Sequence, residues 1–126
     1  MPKKREHQKQ IASNEAFYKD LNSVETFREK YFDWRITTLF YIIIHYADAL
    51  CADKGVTHFI DHQDRENELE KHLEPDEFAL YRKLKDASRK SRYDVVCLSK
   101  TATNYWQYVY QHYYQPLRTI LQQKIS

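Results

Sequence analysis

The chain has 126 residues, enough for one domain, and 42% of them are hydrophobic, enough for a real core. One glycine and three prolines leave too few turn formers for an all-β fold, so a helical bundle is expected. The net charge of +2 excludes little, but the charges are segregated along the chain.

Residues 1–10, MPKKREHQKQ, carry four basic side chains and one acid. No apolar stretch follows them, so they do not form a secretory signal. The first helix is predicted over about 5–22, using Ile11, Ala12, Tyr18 and Leu21 as a weak apolar pattern. A connector around 24–30 follows. The second helix is predicted from an N-cap at Asp33 to about Asp53, with Gly55 just beyond its end. It is apolar nearly all round and should be the central helix of the bundle.

The run ITTLFYIIIHYADALCA (36–52) approaches the length of a membrane span. Asp48 within it costs about 2.5–3.5 kcal/mol at a bilayer centre, which favours a buried core helix. Thr37, Thr38, Tyr41, His45 and Asp48 form one polar stripe on this cylinder. The spacings of Tyr41 to His45 and His45 to Asp48 allow hydrogen bonds in sequence. Asp48 needs a cation or donors if it is buried. The stripe is read either as a satisfied core network or as a pocket wall that anchors arginines from another helix.

Residues 61–77 carry eight acids against Arg65 and Lys71. A third helix is predicted over about 61–73. Arg65 and His72, seven apart, share a face about 10 Å apart in rise. An arginine can stabilise a phosphate in transit and a histidine can move a proton near neutral pH, so the pair suits metal-independent RNA cleavage. The same residues equally fit the solvated rim of a stripe that buries Leu69. Pro75 opens a fourth helix to about Tyr93. On it Leu80, Leu84 and Ala87 should face the core, while Arg82, Lys85, Arg89 and Arg92 form a basic face with Phe78 and Tyr81 on its flank. That face, with Tyr93 at its end, suits the backbone and bases of a nucleic acid. The alternative ties Arg89 and Arg92 to Asp48 or to the acids of 61–77.

A fifth helix is predicted over about 102–124, capped by Thr101 or Thr103 and kinked at Pro116. Its apolar face holds Ala102, Tyr105, Trp106, Val109, Tyr113, Leu117, Ile120 and Leu121. Cys51 and Cys97 suit a reduced, cytosolic setting without a disulfide. Neither a glycine-rich phosphate loop nor a metal-binding motif is present, and no cofactor is expected.

The central LFYIIIHYADAL, the HQDR that holds His62 and Arg65, and YRKLKDASRKSRYD together resemble the HEPN domain superfamily over about residues 7–122. The resemblance implies an all-α, four- to five-helix up-and-down bundle that dimerises. Many such proteins are ribonucleases of defence or toxin–antitoxin systems that use an arginine and a histidine with four to six residues between them, six being the spacing here, while others lack the motif and act as binding modules. It therefore implies Arg65 and His72 as a catalytic pair, although Glu66 follows the arginine where the family has an asparagine, aspartate or histidine. Two readings stand: an interaction module for RNA or nucleotides, with a homodimer or partner protein, or a metal-independent endoribonuclease.

Overall fold

A computed structural model describes residues 4–23, 32–93 and 100–125; side chains are described for residues 4–23, 34–90 and 105–125. All the secondary structure among them is helical. The elements are α1 (Lys4–Ser23), α2 (Phe32–Asp53), α3 (His62–Glu70), α4 (Pro75–Tyr93), α5 (Lys100–Val109), a π-helical turn (Tyr110–Tyr114) and α6 (Gln115–Lys124). The last three form one continuous C-terminal rod.

The apolar run of α2 makes it the centre, and it touches every other element. Ile36, Leu39, Ile42, Ile43 and Leu50 have no solvent exposure. Among its described residues, Trp34, Tyr41 and His45 form the open strip before the last turn. The helix is long and apolar enough to cross a membrane, but 78% of its span is buried inside the bundle. Its end is a glycine stop. Gly55 takes φ 94, its N–H bonds to the Ala52 carbonyl, and the Val56 N–H reaches back to Cys51. Phe32 already belongs to the helix, so Asp33 lies inside the first turn rather than at a cap.

Helix α1 runs antiparallel to α2, with Lys4 beside Asp53 and His7 beside His45. The C-terminal rod runs parallel to α2, pairing Arg35 with Trp106 and Tyr46 with Gln122. Helix α4 runs antiparallel to the rod, from Glu77 beside Lys124 to Lys83 beside Tyr113. The expected up-and-down bundle is thus present, with α1 and α4 on opposite sides of the α2–rod pair.

Three local expectations are corrected. Helix α3 stops at Glu70, short of His72. On α4 the buried stripe is Phe78, Tyr81, Leu84, Ala87 and Ser88, while Leu80 is only partly covered. Phe78 and Tyr81 stack on each other at 6.0 Å, and Tyr81 meets Phe40 at 5.6 Å, so Tyr81 is taken into the core, while the largely covered Phe78 still borders the groove that Arg82, Lys85 and Arg89 line. In the rod, where a kink or restart is expected at Pro116, a π turn precedes the proline and an α-helical segment restarts at Gln115. The Gln115 N–H bonds to the Tyr110 carbonyl five residues back, which makes room for the ring and for its missing donor. The extra residue rotates the register, so that Tyr114 enters the core and Tyr113 is only partly buried.

Cys51 is a buried free thiol, and Cys97 lies outside the described residues. Burial pushes the Cys51 thiol up to about 12. It also raises the hydroxyls of Tyr18, Tyr81 and Tyr114 above their ordinary value. These groups stay protonated in the fold at a pH where the unfolded chain has begun to ionise, so the folded state binds more protons and stability must fall as pH rises. The urea midpoint is expected to drop steadily above about pH 9, where unfolded thiols and then phenols titrate. A midpoint unchanged up to about pH 11 would contradict this burial.

Candidate functional site

The polar seam is built where α2, α1 and α3 meet. Asp48 is a buried carboxylate on α2, with a side chain 7% exposed. It faces Arg65 from α3, whose own start is tightly set. The Asp61 side chain accepts from the Asp64 N–H at 2.8 Å, and the Asp64 side chain accepts from the Ile60 N–H at 3.1 Å. This reciprocal cap orients α3 so that Arg65, in its first turns, projects onto α2.

Arg65 grips Asp48 through two parallel bonds, Nε to Oδ1 at 2.6 Å and Nη2 to Oδ2 at 3.2 Å. This is the planar fork that arginine alone provides. Its remaining Nη1 donates to His62 Nδ1 at 3.1 Å, which places the His62 proton on Nε2 when that ring is neutral. The guanidinium carbon also lies 5.5 Å from the Phe59 ring. Burial works against the charge on Arg65, but the hydrogen bonds and charge of Asp48 outweigh it, and its pKa is raised.

On the other side of Asp48, His45 meets His7 of α1, Nδ1 to Nδ1, at 2.9 Å. One ring must donate and the other accept, so only one Nδ1 carries a proton. Burial lowers the pKa of His7, with Arg65 adding to the effect against the pull of Asp48. Burial likewise lowers that of His45, reinforced by His7. Both rings are therefore neutral at pH 7. The expected chain of bonds up α2 is replaced by a bond across to α1. Thr37 does not join the seam, and its buried hydroxyl has no hydrogen-bond partner.

Arg65 and His72 are not brought together. His72 turns to Glu68 instead, with Nε2 donating to Oε1 at 3.1 Å, and Lys71 shares the same carboxylate. Lys85 is half-buried against Glu66 at 2.8 Å. Thus α3 docks by ion pairs to both neighbours, to α2 through Arg65 and to α4 through Glu66. Arg89 does not reach Asp48. Arg82 and Arg89 are exposed, with no carboxylate at ion-pair distance among the described residues. With Lys85, Gln63 and Asn67 they line a groove of about 310 Å³ between α3 and α4, which Glu66, Glu70 and Asp86 also border. The side chains of Arg92 and Tyr93 lie outside the described residues. Tyr41 is 41% exposed beside the seam.

His7 is the site residue that sequence reasoning missed. It lies 38 positions from His45, on a helix whose N-terminal turns look solvated, and only the antiparallel pairing of α1 with α2 brings it in.

Removing one partner of the Asp48–Arg65 pair leaves the other charge buried alone, so Arg65→Ala is expected to cost about 3 kcal/mol in urea unfolding. Replacing both together by leucine should recover most of that loss, because the desolvation cost disappears with the pair. Two losses that simply add would show the pair to be uncoupled. Comparison of the chain with protein-family models, with curated proteins and with solved structures returned no match, so the site is read from its own geometry.

Proposed function

We propose that the chain is a non-catalytic, HEPN-like helical interaction module that engages the phosphates of RNA or a nucleotide along the outer face of α4. The observation that carries this reading is the grip of Asp48 on Arg65. A ribonuclease of this type needs its arginine free to meet a scissile phosphate. Here two of the three guanidinium nitrogens are spent on a buried carboxylate and the third on His62. His72, the other member of the pair, is held by Glu68.

Exposed cations also occur on α1 and in the loops, but those of α4 stand close together beside the groove between α3 and α4. Arg82 and Arg89 are seven residues apart on one face, and Lys83 and Lys90 extend the charge. The acids of α3 that would repel a phosphate strand are partly neutralised from within, Glu66 by Lys85 and Glu68 by Lys71. Charge of this kind holds a phosphate backbone without reading its sequence. Trp34 and Tyr41, 50% and 41% exposed and two turns apart on α2, supply an aromatic surface for a second copy or a partner protein. The resemblance to HEPN proteins supplies the setting for such a module, a microbial defence or toxin–antitoxin system.

The test is binding of labelled single-stranded RNA, followed by anisotropy at low salt in the presence of chelator. Binding without cleavage is expected, weakened at least about tenfold by Arg82→Glu with Arg89→Glu. RNA cut by the wild-type chain and spared by His72→Ala would instead restore the nuclease reading. Affinity indifferent to the α4 reversal would remove the proposed docking face.

A further inference from the structure

The seam has a second chemical capacity, which does not depend on phosphate docking. Three donor atoms of metal-ligand type converge there from two helices, one nitrogen from each of His7 and His45 and a carboxylate oxygen of Asp48, all within 4.8 Å of one another. We propose that His7, His45 and Asp48 form a binding site for a divalent transition metal of the zinc class, with a fourth position open to water.

The donor set selects the ion. Two imidazoles and one carboxylate suit zinc, cobalt or nickel, and are poor for magnesium or calcium, which want oxygens. The two Nδ1 atoms stand 2.9 Å apart. Ligand nitrogens about 2.0–2.1 Å from a tetrahedral zinc lie about 3.3 Å from each other, so the rings need to part by only a few tenths of an ångström. The ring that now carries its proton on Nδ1 moves it to Nε2, and no net proton is lost.

Asp48 keeps capacity for the ion. A carboxylate offers about four lone-pair positions, and Arg65 takes two of them. Arg65 then plays the supporting role that fixes a ligating carboxylate in place, although its positive charge also limits how tightly a cation is held. Entry is from the half-exposed His45 side; His7 and Asp48 lie deeper, at 8% and 6% exposure. Because His7 sits on α1 and the other two ligands on α2, a bound ion cross-links the first helix to the central one.

The experiment uses the full chain stripped with chelator and then titrated with Zn²⁺ or Co²⁺. One Co²⁺ per chain is expected, with the visible absorption of a tetrahedral site. At about a hundredfold excess of Zn²⁺ over Kd the melting temperature should rise by about 10 °C. His45→Ala and His7→Gln should both abolish the absorption and the shift. His112→Ala, an exposed position on the rod, should keep both. Should a variant prove unstable, its Co²⁺ absorption at low temperature still reports the site. Absence of absorption and shift in the wild-type chain overturns the proposal, as does a signal that survives loss of both His7 and His45.

Discussion

The bundle is organised around one buried ion pair, Asp48 with Arg65. Asp48 is set into the covered side of helix α2, among its apolar residues. A carboxylate there is tolerable only with donors that follow its geometry, and Arg65 meets it with a two-point grip. That requirement fixes where α3 must sit, because the arginine is on a short helix with one deeply buried apolar residue, Leu69. It also explains why the chain turns sharply at Gly55 and caps α3 at Asp61: the segment between has to return α3 against the last turns of α2.

A pair of this kind adds less stability than specificity. Taking both ions out of water costs several kcal/mol, which their attraction repays only in part. What the pair excludes is any other placing of α3, since every alternative strands a carboxylate inside the core. The same economy extends outward through Glu66 with Lys85 and Glu68 with Lys71 and His72. Part of the acidic character of residues 61–77 is thus taken up in ion pairs, across to α4 at Glu66 and locally at Glu68. Arg82 and Arg89 of α4 are left to the solvent, and the functional reading turns on that division.

Much of this was legible in the residues. The unbroken apolar character around Ile42, Ile43 and Leu50 marked the central helix, and the lone glycine marked its end. Asp48 announced its need for a cation, but the arginines matched to it on sequence were Arg89 and Arg92, and the fold supplies Arg65 instead. What escaped was set by contacts between distant segments. His7 reads as one more polar residue of a basic terminus until α1 is laid against α2. Tyr113 belongs on the core face of an ideal helix, and only the π turn before Pro116 exchanges it for Tyr114. Tyr81 lies near enough to the basic row on a helical wheel to suggest base stacking. The choice between faces is made by Phe40 across the interface, which α4 alone does not contain.

The state of the Arg65 guanidinium can be observed directly. In a ¹⁵N-labelled chain the Nε–H of a buried, doubly bonded arginine exchanges slowly with water and gives a sharp, shifted resonance. The account predicts such a signal for Arg65 near pH 7, lost on Asp48→Asn, while Arg82 and Arg89 exchange rapidly. An Arg65 Nε–H that exchanges as fast as theirs would mean that the arginine is free to meet a phosphate, and would contradict the account.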